Sequence, residues 1–425
     1  MEQVDFAICG GRIVNPATGL DGMGSIGIRN GKIAVIDMDS SVTFDLQHVV
    51  RADGYIVIPG MIDCHVHAYQ HATPLGINID DHCLARGVTT AVDAGSAGSS
   101  TFPGLRKFIA ERSHTRLLAF LHIASHGLAS AGCSAGAAGG ECDHLNQVDV
   151  SKCVRCVTQN TDMIVGVKVR VSESCTDNGR IEEEVYRRAL AASTESGVPL
   201  MVHHSISTVP VAKEEGKLCC PFDMNPGDIY THAFMPHLSH ILERDKKAVH
   251  PDVWEARRKG IYFDIGHGAG SFSWTVAEIC TQEGFWPDTI STDLHCESVD
   301  GPAYDLVTVM TKMYALGMPF NEIIASVTSR PAAAIQRLEC LGSLQVGREA
   351  DITMLKIEEC DIDLEDCYGQ VRKVKKRIVP VGVWRNGKRF DVSPHPNCPN
   401  VDSIINGINA WDGTDVRDAR KPSLS

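Results

Sequence analysis

The sequence lacks three features that would each point to a partner or a location. It has no apolar run approaching the ~18 residues of a membrane-spanning helix, and its first residues, MEQVDF, contain neither the basic nor the apolar part of a secretory signal. Basic residues are outnumbered, with a formal net charge of −13, whereas affinity for a nucleic-acid backbone comes largely from Lys and Arg. We therefore expect a soluble, cytoplasmic protein with neither a membrane nor a nucleic acid as partner.

The sixteen cysteines do not show the spacing of a disulfide framework. The CxxC formed by Cys153 and Cys156 has no second pair at the spacing of a zinc site. We expect reduced thiols that are buried as small hydrophobic groups.

Both ends of the chain carry short predicted strands separated by turn signals. They fall at residues 6–9, 12–14, 25–29, 32–37 and 49–52, and again at 351–357, 379–384 and 388–390. Asn30-Gly31 and Asn386-Gly387 are typical of hairpin turns. The two ends, residues 1–55 and 339–391, are predicted to pair into a small β-sandwich, and residues 392–425 follow as a surface tail that wraps this domain or a neighbouring subunit of a homo-oligomer.

Between these ends the chain repeats an apolar strand followed by an amphipathic helix. The eight candidate strands are residues 56–65, 89–94, 116–123, 163–171, 199–203, 228–232, 260–265 and 289–293. Regular alternation of this kind favours a parallel sheet, and eight repeats suit a closed barrel. The predicted fold is therefore α/β, a (β/α)₈ TIM barrel over residues 56–338.

Polar side chains at the ends of these strands are the candidate site, because catalytic groups of such barrels lie at the carboxyl ends of the strands. They are His65, His67, Lys168, His203, His232 and Asp293. His65 and His67 are two residues apart, so both project to one side of an extended strand and can hold one ion. A lone HxH pair is also common on protein surfaces, so its position matters more than its spacing.

Lys168 lies within an apolar strand, where an ammonium group is costly to bury. The simpler interpretation is a lysine that reaches outward or pairs with a carboxylate. The alternative is a lysine carbamylated by carbon dioxide, whose carboxylate bridges two metals. Its place on the fourth of eight strands, among the histidines, favours the carbamate.

His203 and His232 end the fifth and sixth strands and suggest a second metal position. His204 is the adjacent alternative to His203, and we prefer His203 because it keeps register with the apolar run. Asp293 ends the eighth strand, where a buried carboxylate needs a cation. We expect Asp293 to ligate a metal and to move the proton of the hydrolytic water.

The motifs PGMIDCHVH (59–67) and GSLQVGREADI (342–352) resemble those of the amidohydrolase superfamily. VDAGSAG (92–98), DIGHG (264–268) and DTISTD (288–293) are similar to a deacetylase-like branch related to dihydroorotases. The resemblance implies that His65, His67 and Asp293 hold one divalent metal and that His203 and His232 hold the other. Carbamylated Lys168 would bridge the two ions, for which zinc is expected.

This resemblance implies hydrolysis of an ester or amide of a small acyl compound through a bridging hydroxide. Arg170 shares the inward face of Lys168 and is a candidate anchor for a substrate carboxylate, although it could instead neutralise Glu173 or another acid. His267 could donate to the same carboxylate or to the carbonyl oxygen. The alternatives are a cyclic-amide hydrolase of the dihydroorotase or hydantoinase kind, a mononuclear deaminase and a non-catalytic scaffold.

Overall fold

The two ends of the chain form one mixed sheet. The computed structural model describes residues 3–42, 49–130, 139–237 and 239–393. Its N-terminal strands are β1 Phe6–Asn15, β2 Leu20–Arg29, β3 Lys32–Asp37, β4 Val49–Arg51 and β5 Ile56–Pro59. Its C-terminal strands are β13 Ile352–Glu365, β14 Val371–Arg385 and β15 Lys388–Phe390. We call this assembly the terminal sheet.

The strand order of the terminal sheet is β15-β14-β13-β5-β1-β2-β3, and β4 pairs with β1. The predicted pairing of the two chain ends is therefore present, since β5 and β13 are antiparallel neighbours, with Val57 opposite Met354. Side chains from both ends of the sheet share one apolar cluster, which includes Ile26, Ile352 and Trp384.

The middle of the chain supplies a parallel sheet of seven neighbouring strands. They are β6 Met61–Val66, β7 Val88–Gly98, β8 Arg116–His122, β9 Ile164–Val171, β10 Leu200–His204, β11 Ile229–Thr231 and β12 Tyr262–Phe263. The described helices are α1 Ile79–His82, α2 Phe102–Gly104, α3 Val150–Gln159, α4 Glu182–Ser196, α5 Pro251–Lys259, α6 Trp274–Gln282, α7 Leu306–Ala315, α8 Phe320–Ser326 and α9 Ser329–Ala334.

The sheet curls until its two edges meet across the segment predicted as the eighth strand. Thr289 forms a parallel bridge with Asp264, just after β12, and Leu294 forms one with Val66 at the end of β6. Residues 289–293 therefore occupy the eighth position through isolated bridges rather than as a regular strand. This closure brings Asp293 beside the first barrel strand.

Helix α4 shows how sequence pattern becomes packing. Val185 and Ala189 recur one helical turn apart and are fully buried, and three glutamates begin the helix, where the helix dipole favours negative charge. Gly197 ends the helix with φ +69°, a left-handed conformation that glycine adopts without strain. The buried face of α4 packs against β9, the strand that carries Lys168.

Two strand predictions change in the structure. The predicted strand 56–65 is divided at Gly60: its first part, β5, belongs to the terminal sheet and its second part, β6, begins the barrel. The predicted strands 6–9 and 12–14 are one strand, because β1 runs through Gly10-Gly11 with a register shift, and a glycine at φ +76° accommodates a β-bulge.

Two further expectations can be compared with the described residues. No helix within them is both long and apolar enough to cross a membrane. The predicted tail, residues 392–425, lies outside the described residues except for its first two positions.

Candidate metal centre and active site

Three ligand-type side chains meet where the barrel closes. His65 and His67 lie on and just after β6, and Asp293 comes from the closing segment. Oδ1 of Asp293 lies 3.2 Å from Nε2 of His65 and 3.1 Å from Nε2 of His67. All three residues are buried, and their ligand atoms lie within 4.8 Å of one another. This donor set, two imidazoles and a carboxylate, is one that divalent metals such as zinc accept.

Lys168 reaches the same point from β9. Its side chain is 1% exposed, and Nζ lies 3.4 Å from Nε2 of His65. Burial lowers the pKa of Lys168 to about 8, so a neutral amine is readily available there. Space for the side chain depends on Gly95, where a Cβ would lie 2.6 Å from Cγ of Lys168. The inward prediction for Lys168 agrees with this geometry.

His203 and His232 form the neighbouring pair, with ring centroids 4.4 Å apart. Nδ1 of His232 donates to the carbonyl oxygen of Gly266 at 2.7 Å, which leaves Nε2 deprotonated. That Nε2 is buried and has no hydrogen-bond partner among the described residues. Burial also lowers the pKa of His232 to about 3. A neutral imidazole with an unused, buried lone pair is what a metal ligand requires.

His204 faces the other way. Its Nδ1 lies 3.2 Å from the hydroxyl of Tyr230, and its Nε2 donates to the carbonyl oxygen of Val209 at 2.9 Å. Both ring nitrogens are therefore engaged away from the cavity, whereas His203 lines it.

Side chains behind the ligands fix their ring orientations. Nδ1 of His65 donates to the hydroxyl of Thr231 at 3.0 Å, and Thr231 donates to Asp264 at 2.7 Å. Nδ1 of His67 lies 3.0 Å from the hydroxyl of Ser96. In each case Nε2 is directed at the metal position. Asp264, Thr231 and Ser96 were not predicted as site residues, although Asp264, like Asp293, is a polar residue at the end of a predicted strand.

Two of the proposed ligand residues have backbone conformations that residues other than glycine rarely adopt. His232 has φ +68° and Asp293 has φ +46°, both in the left-handed region. Such conformations cost of order 1–3 kcal/mol each and tend to cluster at functional sites, where the surrounding structure enforces them. The strain is consistent with selection for ligand direction rather than for stability.

The ligand-type residues open into a cavity of about 170 Å³. Leu75 and Leu128 supply apolar wall, and residues 269–271 form a rim. The remaining lining residues are His65, His67, Lys168, Arg170, His203, Asp293, His295 and Glu297.

Comparison with known proteins agrees with this arrangement. The sequence profile of the amidohydrolase family matches residues 56–390. The chain belongs to the amidohydrolase family. It is a hydrolase, and the family assignment accounts for the barrel and for the metal-type cluster at its mouth.

The relatives of this amidohydrolase are named for different activities. A deacetylase of Agrobacterium fabrum is 34% identical over 355 residues, covering 83% of this chain and 82% of its own. A crystal structure of a dihydroorotase has a TM-score of 0.80 and 30% identity, covering 92% of this chain and 99% of its own. A crystal structure of an adenine deaminase has the same TM-score and 28% identity, covering 91% and 100%.

Arg170 lines the cavity of this amidohydrolase, and the acid beside it is Glu141. Nε of Arg170 lies 3.6 Å from Oε1 of Glu141, and Nε2 of His122 lies 3.5 Å from the same oxygen. Burial raises the pKa of Glu141, but Arg170 and His122 outweigh it and leave that pKa at about 2. Glu141 therefore remains a carboxylate and fixes the inner edge of the guanidinium.

His267 lies outside the cavity wall, contrary to the role expected for it. Its Nε2 is 2.8 Å from Nζ of Lys312 and its Nδ1 is 2.9 Å from the carbonyl oxygen of Gly268. The ring is fully buried and stacks on Phe272 at a centroid distance of 4.6 Å. The glycine-flanked motif suggested an accessible side chain, but the positive φ of Gly266 and Gly268 turns the imidazole inward.

Proposed function

We propose that this amidohydrolase cleaves an ester or amide bond of a small acyl compound that bears a free carboxylate, with two divalent metals at the barrel mouth. The observation that carries the proposal is the convergence of two ligand groups on one cavity. His65, His67 and Asp293 form the first group and line the cavity. In the second group His203 lines the cavity and His232 packs against His203, and Lys168 reaches the cavity from β9, the strand between them.

The residues fit such metals in their donor chemistry. Nε2 of His65 and of His67 is directed inward by hydrogen bonds at Nδ1, and Nε2 of His232 is buried without a partner among the described residues. When bound, two divalent ions, zinc by our proposal, lower the pKa of the attacking water toward ~7 and polarise the scissile carbonyl.

Lys168 is proposed to carry a carbamate. The ammonium first loses one proton. The neutral amine then adds to the carbon of carbon dioxide: an N–C bond forms, one C=O π bond opens, and the nitrogen loses a second proton, so that an anionic carboxylate replaces a cation. Its position between the two ligand groups lets this carboxylate bridge them. The change also replaces a buried ammonium, costly in this apolar strand, by a group that the metals stabilise.

Asp293 is proposed to accept a proton from the hydrolytic water and to deliver it to the leaving oxygen or nitrogen. Arg170 is proposed to bind the substrate carboxylate with its terminal nitrogens. The ion pair with Glu141 holds the guanidinium by its Nε side, and a fixed guanidinium selects planar, two-oxygen ligands.

A relative named as a deacetylase supports removal of an acetyl group. We propose acetyl esters of α-hydroxy acids or N-acyl amino acids as the substrate class. The likeness to a dihydroorotase structure supports the second candidate, a cyclic-amide hydrolase, which would use the same ligand residues. Both candidates predict the same metal content and differ only in the bond that is cleaved.

The test combines metal analysis with an activity screen. We expect about two metal ions per chain in the purified protein, and activity that is lost on chelation and restored by zinc. About one ion would support a deaminase-like centre, and none a non-catalytic scaffold. A screen across acetyl esters, N-acyl amino acids and cyclic amides then separates the two hydrolase candidates, and hydrolysis of cyclic amides alone would overturn the deacetylase proposal.

A further inference from the structure

The terminal sheet reaches the cavity through the hairpin of β13 and β14, which are 14 and 15 residues long. We call residues 366–370 the hairpin tip and residues 266–273 the cavity loop. The hydroxyl of Tyr368 donates to the carbonyl oxygen of Gly270 at 2.5 Å, and the amide of Cys367 donates to that of Phe272 at 3.1 Å. The hairpin tip is thus bonded directly to the cavity loop.

The cavity loop in turn touches the proposed proton carrier. The amide of Gly268 donates to the carbonyl oxygen of Thr292 at 2.8 Å, and a Cβ at Gly268 would lie 2.5 Å from Oδ2 of Asp293. Ala269, Gly270 and Ser271 line the cavity. A shift of this loop would therefore alter both the cavity wall and the surroundings of the Asp293 carboxylate.

Lys312, on α7, lies beneath the cavity loop and joins it to the hairpin. Its Nζ contacts Nε2 of His267 at 2.8 Å and the carbonyl oxygens of Pro302 at 3.0 Å and Glu365 at 2.5 Å. Glu365 is the last residue of β13, next to the hairpin tip, so one ammonium group binds the cavity loop, the segment after Asp293 and the hairpin.

The hydrogen bonds define the state of His267. Nζ of Lys312 has three protons and three acceptors, so Nε2 of His267 accepts one of them. Nδ1 then carries the ring proton and donates it to the carbonyl oxygen of Gly268. The imidazole is neutral and transmits the position of Lys312 to the backbone beside Asp293.

The cost of this arrangement indicates a role other than stability. Lys312 is 0% exposed, and no carboxylate oxygen within the described ranges lies at ion-pair distance from its Nζ. An apolar side chain of similar volume often replaces a buried cation with no loss of stability. What methionine could not supply is three directed hydrogen bonds.

We propose that Lys312 is a positioning residue. Through His267, and through Glu365 next to the hairpin tip, it holds the cavity loop in the position that the cavity wall and the surroundings of Asp293 require. The effect on turnover rests on the proposed function, but the effect on the loop does not. Lys312 touches neither the substrate cavity nor the metal ligands directly.

The first experiment compares Lys312→Met with the parent protein, both as purified with their metals. We expect two metals in each, a kcat about 10-fold lower in the variant, and a KM that changes by less than about threefold, because a misplaced loop impairs chemistry more than uniform binding. Hydrogen–deuterium exchange of residues 266–273 is expected to increase. Parent values for kcat and loop exchange would overturn the proposal.

Lys259→Met is the control for loss of a lysine that donates to carbonyl oxygens, here at an exposed position. Nζ of Lys259 also donates to two carbonyl oxygens, those of Phe222 and Met224, but on the flank of α5 and away from the cavity. We expect the parent kcat and parent loop exchange in this variant. An equal loss in both lysine variants would mean a general effect on stability and would also overturn the proposal.

Tyr368→Phe tests the same coupling at an exposed residue. It is the deciding variant in the event that Lys312→Met does not fold. It removes the hydroxyl that donates to Gly270 and that also lies 2.9 Å from Nε2 of His237. We expect faster exchange of the cavity loop and a kcat reduced about two- to fivefold, which corresponds to ~0.4–1 kcal/mol. Unchanged exchange here would contradict the proposal. A parent protein without metal-dependent hydrolysis would overturn the proposed function, while the exchange data would still decide the loop coupling.

Discussion

Two regions of the barrel each bury a lysine, and they treat it differently. Lys168 is 1% exposed and Lys312 is 0% exposed, and burial lowers their pKa values to about 8 and about 7. Around Nζ of Lys168 the nearest hydrogen-bonding atom is a histidine nitrogen at 3.4 Å. Around Nζ of Lys312 there are three acceptors at 2.5–3.0 Å.

This difference shows that burial alone does not define the chemistry of a lysine. An ammonium whose three protons all have acceptors is held in place by those hydrogen bonds, although burial lowers its pKa. An amine with few hydrogen-bond acceptors, beside imidazole nitrogens and a carboxylate, is suited instead to a reaction that removes its positive charge. The region of Lys168 is therefore proposed to react with carbon dioxide, and the region of Lys312 to hold structure.

The largest expected effect comes from Lys168→Ala. An active variant would contradict the difference drawn between Lys168 and Lys312. Loss of the bridging group should reduce kcat/KM by about 10³-fold and lower metal content, since the metals supply several kcal/mol of transition-state stabilisation. A short carboxylic acid in the assay should restore part of the activity. A fully metallated and active Lys168→Ala protein would exclude the carbamate.

Asp293→Asn sharpens the account of the Lys168 region. The amide keeps the shape of the side chain but cannot accept the proton, so kcat should fall by about 10²–10³-fold while KM changes little. Steady-state kinetics on remetallated protein measure the two constants separately. Unchanged turnover would remove Asp293 from proton transfer.

Arg170→Met tests the other charged neighbour of Lys168. Loss of a charge-assisted pair worth ~1.5–3 kcal/mol should raise KM for the free acid about 10- to 100-fold. The methyl ester of the same substrate, which lacks the carboxylate, should be affected far less. If the parent does not prefer the free acid, or the variant keeps the preference, Arg170 is not the anchor.

The last prediction concerns stability and the Lys312 region. Its pKa is about 7 in the folded protein, below the ordinary 10.5, although Cys367, Glu365 and Asp366 oppose the shift caused by burial, and His267 is neutral. Between these pH values the unfolded chain binds more protons, so the contribution of Lys312 to stability rises with pH, by at most ~1.4 kcal/mol per unit.

The melting temperature of the parent protein minus that of Lys312→Met should therefore increase between pH 7 and pH 10. Taking the difference between the two proteins removes the similar contribution of Lys168. A constant difference across this range would show that the ammonium of Lys312 is not penalised by its surroundings.

Strand ends were the most informative part of the sequence. The rule that polar residues follow buried strands of a parallel barrel selected six residues. Five of them line one cavity, and the sixth, His232, packs against His203 beside it. It could not select among neighbours on chemistry alone: His203 and His204 differ in sequence only by register, and only the contacts of His204 with Tyr230 and Val209 show its direction.

Long-range contacts account for what the sequence did not reveal. Lys312 lies in a helical, apolar stretch, and nothing local indicates that Glu365 or His267 will meet it. The direction of His267 depends on the positive φ of its flanking glycines, which a GHG motif permits but does not require. The closing segment at 289–293 is not a regular strand because its partners, Asp264 and Val66, contribute one bridge each.

The pairing of β5 with β13 has a consequence for the order in which the chain folds. Val57 must find Met354, and the whole barrel is synthesised between them. One residue, Gly60, separates β5 from β6, the first strand that carries proposed ligands. Contacts of such long sequence separation form slowly, because the closure entropy of the intervening chain is lost first. During synthesis β5 therefore keeps one unpaired edge until β13 leaves the ribosome. A chain that ends before residue 352 would keep this edge open beside the candidate metal site and would be expected to bind chaperones or to aggregate.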